Sequence, residues 1–206
     1  MEDLQEFTQR NGMYVNGSKS KVMKFSRSQT HDFPLEVSFF DNKFLEVVSS
    51  MKLLGVIVSD SLKWGPNTDY ICKRAKAKIW LLRNMKESGL TDSQLVDAYK
   101  KEVRSLLELA VPVWNSGLTK NQCVQIERVQ KNALSAILGF RYTSYELALK
   151  YLGLERLSVR REKICSKFIS KNLQESTPLW FPVQKTHDTR SSSFLVKEYQ
   201  CNTKSF

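Results

Sequence analysis

The clearest helical pattern in the chain is residues 68–87, TDYICKRAKAKIWLLRNMKE. Its apolar residues recur at steps of four and three, the spacing that places side chains on one buried face of a helix. These residues are Ile71, Ala75, Ile79, Leu82 and Met85. Asn67 precedes the pattern and is predicted to be the N-cap. The stretch therefore predicts a long amphipathic helix.

Four further helices are predicted downstream of this one. They cover about residues 92–109, 120–138, 144–151 and 156–174. Thr91 and Thr119 are placed to open the first two, because a threonine side chain can accept from the free backbone N–H groups of the first turn. Pro112 is predicted to kink or end the first, and Gly139 to stop the second. The C-terminal two-thirds of the chain is thus predicted to be a helical bundle.

The first sixty residues have mostly the pattern of strands. After a short predicted helix over 3–11, strands are predicted over 13–15, 22–25, 35–39 and 44–48. Asp41-Asn42 is predicted to be a hairpin turn. Residues 51–58 are nearly continuously apolar from Leu53, which predicts one buried strand. The predicted fold class is α+β: a small antiparallel β-rich unit followed by a mostly α-helical bundle.

The net charge of this 206-residue chain is +11, and its distribution is uneven. Residues 1–60 carry a net charge of −1, whereas 61–139 and 140–206 carry +6 each. Such an excess favours a nucleic acid or an anionic membrane surface as partner, and it belongs to the helical part. The alternative is that the surplus lysines serve solubility. With 41% hydrophobic and 26% charged residues, the composition excludes a wholly disordered chain.

Several classes of site and location are not expected. The cysteines at 72, 123, 165 and 201 are widely spaced, with no CxxC pair, which argues against a structural zinc site and for reduced thiols. The N-terminus has no apolar run typical of a signal peptide, and no stretch approaches the roughly 18 apolar residues of a membrane span. We expect an intracellular protein, nuclear or cytoplasmic, without membrane partners.

The helix predicted over 68–87 has a basic face that contains an aromatic residue. At about 100° per residue, with Lys73 at the origin, Trp80 falls near 340°, Lys76 near 300° and Arg83 near 280°. The apolar stripe lies on the far side of this wheel. Cations around one aromatic residue suit a phosphate track with a stacking platform, so these four residues are candidate nucleic-acid contacts. The alternative is that Trp80 packs on a neighbouring helix beside the lysine stems.

Five sequence blocks, in order over about residues 10–165, resemble the reverse transcriptases of non-LTR (LINE-type) retrotransposons. The blocks are Asn16–Ser20 ahead of Val22–Phe25, Lys52–Val56 followed by Leu62–Trp64, Glu108-x-Ala110-x-x-Val113-Trp114, Ile126-Glu127-x-x-Gln130, and Leu152-Gly153-Leu154-x-x-Leu157-x-x-Arg160-Arg161. In that family, matching segments follow the catalytic centre and form the end of the palm, the primer-grip hairpin, the thumb and a connection. The resemblance therefore implies a template–primer of RNA or DNA as partner.

One departure from the family bears on activity. The family holds two Mg²⁺ ions with an early aspartate and a later aromatic-x-Asp-Asp, because two-metal catalysis needs converging carboxylates. This sequence has no adjacent Asp-Asp. We therefore interpret it as a C-terminal fragment that begins after the catalytic strand and stops short of the family's usual end. It is predicted to hold no cofactor and to be inactive alone, Mg²⁺ belonging to the intact enzyme.

The resemblance also implies a domain organisation. The predicted parts are a palm remnant with the hairpin over 1–66, a thumb-like bundle over 67–139, a helical connection over 140–176 and an irregular tail over 177–206. The missing palm and fingers portion would then be a possible partner of this chain.

Further site residues follow from the resemblance. Lys19 matches a lysine near the phosphates of the incoming nucleotide, a role expected to be vacant without metals, and Lys52 and Gly55 match the primer grip. The alternatives are a solvated loop lysine and a core strand with a bulge. Of Arg160 and Arg161, one is expected to contact nucleic acid and the other to be structural. Family residues expected to be structural are Glu108, Trp114, Glu127 and Gln130.

Three functions remain open from the sequence. The first is a reverse transcriptase fragment that binds nucleic acid without polymerising it. The second is a standalone helical module, derived from a transposon, that binds another protein through an exposed apolar face. The third is an active enzyme whose aspartates come from another chain.

Overall fold

The computed structural model describes residues 2–25, 38–39 and 43–174, and their fold is mixed α+β. The chain divides between Asn67 and Thr68 into two compact units. The predicted tail over 177–206, the predicted strand residues 35–37 and the Asp41-Asn42 turn lie outside the described residues. The segments predicted as separate thumb and connection, 67–139 and 140–176, fall almost wholly in the second unit.

The first unit combines one helix with short strand pairings. Its helix is α1 (Glu2–Arg10), and its strands are β1 (Lys21–Val22), β2 (Ser38–Phe39), β3 (Lys43–Phe44), β4 (Glu46–Val47), β5 (Ser50–Leu53) and β6 (Val56–Ser59). The antiparallel prediction holds for β2–β3 and β5–β6, but β1 pairs with β4 in parallel. The strand predicted over 13–15 is wrong, because these residues join no strand ladder.

The apolar run over 51–58 forms a hairpin, so the prediction of one buried strand is wrong. Leu53 pairs with Val56 across a two-residue turn at Leu54-Gly55. Leu54 has φ 47° and Gly55 φ 91°, the pair of positive values that a type I′ turn requires. Glycine adopts a positive φ at little cost, whereas leucine does not. Because Leu54 is not a typical turn residue, the sequence did not predict a turn here.

The long basic helix, α2 (Gly65–Glu87), starts earlier than its sequence pattern suggests. Pro66 lies in the first turn, where its missing N–H costs no helical hydrogen bond. The predicted N-cap role of Asn67 is therefore wrong. Its Oδ1 instead accepts a hydrogen bond from the backbone N of Ile57 at 3.0 Å, which ties the end of the first unit to β6.

The next helix contains a π-helical segment that the sequence did not predict. It runs as α3 (Asp92–Ala98), a π-helix (Tyr99–Arg104) and α4 (Ser105–Leu107), and it opens with a capping box between Thr91 and Gln94. The fully buried residues recur every four positions, at Leu95, Tyr99, Val103 and Leu107. In a regular α-helix each such step overshoots the face by about 40°. The wider π turn offsets this drift and keeps all four side chains in the core.

Pro112 does not end this helix, contrary to the prediction. The helix ends at Leu107, and Ala110 adopts a left-handed conformation with φ 51°. Pro112 then lies in the first turn of a new short helix, α5 (Val111–Trp114), followed by a 3₁₀ turn (Asn115–Gly117). Proline has no backbone N–H. A helix interior needs that N–H for a hydrogen bond, whereas the first turn does not, so proline is favoured at a helix start.

The remaining helices confirm the predicted bounds to within one residue. They are α6 (Lys120–Leu138), α7 (Tyr145–Leu152) and α8 (Leu157–Gln174), and a 3₁₀ turn (Gly139–Arg141) follows α6. Thr119 and Gln122 form a second capping box. Helix α6 packs against α3, α7 and α8 and is the centre of the bundle. Its fully buried side chains are Ile126, Val129, Ala133, Leu134 and Ile137.

Replacing Gly139 by alanine is expected to destabilise the second unit. Gly139 has φ 60° and ψ −127°, which L-residues avoid, and a Cβ there would lie 2.5 Å from Lys86 Nζ. We expect a loss of about 1–3 kcal/mol in the free energy of unfolding, measured by denaturant titration. The control is Gly153→Ala, at φ 62° and ψ 38°, where the added Cβ meets nothing within 4 Å. Equal losses at the two sites would contradict the larger cost expected at Gly139.

Candidate nucleic-acid interface

Helix α2 presents the predicted basic face to solvent. Lys73, Lys76, Trp80 and Arg83 are all exposed, and Trp80 keeps 64% of its surface accessible. The alternative in which Trp80 packs on a neighbouring helix is wrong. From Lys73 to Arg83 the face spans about 15 Å at 1.5 Å per residue. That length matches roughly four base-pair steps of 3.4 Å.

The cations of this face differ from those on the other side of α2. No ion pair joins Lys73, Lys76 or Arg83 to a carboxylate of the described residues. On the other side, Lys78 Nζ lies 2.9 Å from Glu102 Oε2, and the Arg74 guanidinium lies 5.4 Å from the centre of the Tyr70 ring. Of these α2 cations, Lys78 is therefore neutralised by a carboxylate, whereas the three around Trp80 are not.

Helix α6 runs parallel to α2 and extends this surface. Gln125 Nε2 donates to Asp69 Oδ1 at 2.7 Å near the start of both helices, and Lys86 Nζ lies against Gly139 at their other end. Arg128, one turn beyond Gln125, is exposed and has no ion pair among the described residues. Sequence reasoning missed Arg128, because the helix pattern alone does not show which cations of α6 stay exposed and without an ion pair.

The adjacent arginines on α8, of which one was expected to contact nucleic acid, both have partners within the fold. Arg160 binds both carboxylate oxygens of Glu108, with Nε–Oε1 at 2.5 Å and Nη2–Oε2 at 3.0 Å. Arg161 is 2% exposed, and its Nε donates to Asn115 Oδ1 at 2.9 Å. Both side chains hold α8 against the segment around α5. Their guanidinium groups are used inside the fold rather than offered to a ligand.

The family residues predicted to be structural are structural. Glu108 holds Arg160, and Trp114 is fully buried, with Nε1 donating to Leu109 O at 2.8 Å. Glu127 accepts from the backbone N–H groups of Leu157 and Ser158 and so caps α8. Gln130 Nε2 donates to Glu155 O at 2.9 Å.

The candidates in the first unit lie in two segments that are apart along the chain, the turn over 16–20 and the β5–β6 hairpin. Lys19 is exposed in the turn over 16–20, which Asn16 Oδ1 stabilises by accepting from the Lys19 backbone N at 3.2 Å. Lys52 is exposed on β5, and Gly55 forms the β5–β6 turn. The turn explains this glycine without a ligand, and the predicted bulge alternative is wrong as well.

Among the described residues there is no group of three or more histidine, cysteine, aspartate or glutamate side chains that could hold a metal ion. Cys72 is buried, and this burial raises the pKa of its thiol to about 11. Cys201 lies outside the described residues. In the described part of the chain, no helix combines the length and the apolar character needed to span a bilayer.

Comparison of the chain with known protein families, with curated proteins and with solved structures found no match. The relation to reverse transcriptases therefore depends on the five sequence blocks alone. The basic face of α2 does not depend on that resemblance, because it follows from spacing, exposure and charge.

Proposed function

We propose that this chain is a C-terminal segment of a LINE-type reverse transcriptase, and that its second unit binds template–primer nucleic acid. The observation that carries the proposal is the face of α2 on which Lys73, Lys76 and Arg83 surround an exposed Trp80. The family is proposed from the resemblance of the five sequence blocks. In this proposal the hairpin over 50–59 belongs to a primer-grip-like palm remnant, and the helices form the thumb and the connection.

The physical basis of binding is phosphate neutralisation. Cations without protein partners can contact phosphates and release condensed counterions, which gives salt-dependent affinity without sequence preference. An exposed tryptophan among them can stack on a base or a sugar. A carboxylate-paired cation such as Lys78 would first have to give up its partner, so the Trp80 side of α2 is the favoured contact surface.

Catalysis is assigned to residues outside the described part. The intact family enzyme uses Mg²⁺ held by converging carboxylates, and the described residues provide no such set. We propose that the isolated chain does not polymerise and that a palm and fingers portion would supply the chemistry. A primer-extension assay with Mg²⁺ tests this: nucleotide incorporation by the isolated chain would contradict the proposal.

Replacing Lys73, Lys76 and Arg83 together by alanine is expected to weaken duplex binding about 10- to 100-fold near 0.1 M salt. The slope of log K against log salt should fall by about 0.9 for each phosphate that the variant no longer neutralises. Fluorescence anisotropy with a labelled RNA–DNA hybrid, repeated over a salt series, measures both quantities. All three side chains are exposed, so the unfolding transition should change little.

The matched control removes three other exposed cations, Arg74, Lys78 and Lys101. It changes the net charge equally but leaves the Trp80 face intact, so its salt slope should stay near that of the parent chain. Equal weakening by the two triple variants would show that total charge alone drives binding. No retention of duplex by the parent chain would instead favour the protein-binding alternative.

A further inference from the structure

An open groove lies on the second unit where α6 turns into α7. Its volume is about 500 Å³, within the roughly 300–1,000 Å³ of small-ligand sites. Its apolar lining comes from Leu138, Leu147, Ala148 and Tyr151. Tyr151 is 64% exposed, so a flat aromatic ring is accessible at this groove.

The charges around the groove are mostly positive. Arg141 and Lys150 belong to its lining, and no ion pair joins Lys150 to a carboxylate of the described residues. Arg141 Nη2 lies 2.7 Å from Asp92 Oδ1, and this hydrogen bond holds the pKa of Asp92 below its usual value. Lys86 Nζ lies nearby against Gly139 and has no hydrogen-bond acceptor among the described residues. The groove lining itself thus contains two cations and no carboxylate.

Aromatic side chains accompany these cations. The Arg141 guanidinium carbon lies 6.0 Å from the centre of the Tyr151 ring, and Phe140, immediately before Arg141, is 95% exposed. An acidic peptide could bind through the cations and the apolar lining alone, so its binding would not explain the exposed aromatic rings. Exposed rings next to cations are the combination that single-stranded nucleic acid uses, because bases stack on aromatic faces while phosphates meet lysine and arginine.

The groove continues the basic face of α2. Arg83, the last cation of that face, precedes Lys86 by about one helical turn. Lys86 contacts Gly139, and Phe140 and Arg141 follow directly in the chain. A strand that follows α2 toward its C-terminal end would therefore arrive at the α6–α7 corner.

We propose that this groove binds an unpaired nucleotide, with its base stacked on Tyr151 and its phosphate held by Lys150. The inference rests on the proposed function, because α2 would hold the duplex from which the single strand emerges. The ligand of the second unit is then a junction between duplex and single strand rather than a uniform duplex.

Two probes test the proposal with the full chain: a blunt RNA–DNA hybrid and the same hybrid with a single-stranded oligothymidylate overhang. The overhang should increase affinity about 5- to 150-fold, the range expected for stacking one base. Tyr151→Ala should abolish this increase and leave the blunt hybrid unaffected. Tyr151→Phe keeps the ring but removes the hydroxyl that contacts Arg141 and Asp92, and it should retain the increase. Lys150→Ala should lower the salt slope for the overhang probe by about one.

The outcomes separate this inference from the proposed function. If the parent chain does not distinguish the two probes, or if Tyr151→Ala keeps the preference, the groove does not bind a nucleotide. Binding of an acidic, leucine-containing peptide in place of oligothymidylate, detected at Leu147 and Tyr151 by NMR, would also overturn the inference. If free oligothymidylate binds in a Tyr151-dependent manner while the blunt hybrid does not bind, the α2 proposal fails and the groove assignment stands.

Discussion

Replacing Trp114 by alanine is expected to lower the free energy of unfolding of the second unit by about 3–5 kcal/mol. Trp114 is fully buried at the end of α5, so the change leaves a large cavity. It also removes the hydrogen bond from Nε1 to Leu109 O, 2.8 Å long, which fixes the turn that contains the left-handed Ala110. Because a whole domain is typically stable by only about 5–15 kcal/mol, such a loss is large. Thermal and denaturant unfolding followed by circular dichroism would measure it.

Two control variants isolate the cause. Trp114→Phe keeps most of the buried ring but loses the hydrogen bond, and it should cost about 1–3 kcal/mol. Val113→Ala changes the exposed neighbour on the same helix and should stay within about 0.5 kcal/mol. If Trp114→Ala and Val113→Ala unfold at the same denaturant concentration, Trp114 does not have the structural role assigned to it.

Replacing Glu127 by alanine is expected to cost about 2–4 kcal/mol, the second largest effect. The Glu127 carboxylate accepts from Leu157 N at 3.2 Å and Ser158 N at 3.3 Å, which caps the first turn of α8. It also accepts from the half-buried Tyr145 hydroxyl, and a buried polar group left without a partner costs up to about 1–3 kcal/mol. A negative charge at a helix N-terminus is further stabilised by the helix dipole. Hydrogen exchange should show the loss first in the opening turn of α8.

The matched control is another carboxylate of the same bundle. Glu146 forms an ion pair with Arg156 on the surface, and surface pairs contribute about 0–1 kcal/mol. Glu146→Ala should therefore cost far less than Glu127→Ala. Glu127→Gln keeps an oxygen acceptor without the charge and should lie between the two. Equal stabilities for Glu127→Ala and Glu146→Ala would rule out the capping role.

Helix positions in the second unit could be predicted because their causes are local. Thr91 and Thr119 each close a capping box with a glutamine three residues later, and the glycine at 139 ends α6. The basic face of α2 was predictable for the same reason, since helical spacing alone places its cations around Trp80. Caps and helical faces depend on residues within about one turn of each other, so they can be predicted from the sequence.

The errors concern features that depend on distant partners or on rare backbone conformations. The turn at Leu54-Gly55 required a left-handed leucine, which local preference disfavours. Asn67 has a good N-cap side chain, but its acceptor oxygen serves β6 instead. Two adjacent arginines are typical of a phosphate-binding site. The guanidinium groups of Arg160 and Arg161 instead donate to Glu108 and Asn115, which lie about fifty residues earlier in the chain.

Local sequence patterns are enough to place α6, α7 and α8, the positive charge after residue 60 and the cation–tryptophan face of α2. Which cations remain available to a ligand depends on the packing of the helices. It pairs Arg160 with Glu108, buries Arg161, and leaves Lys73, Lys76, Arg83 and Arg128 exposed. It also creates the groove between α6 and α7. The physical reason is that a helix face depends on neighbours three and four residues away, whereas ion pairing and burial depend on which remote elements pack together.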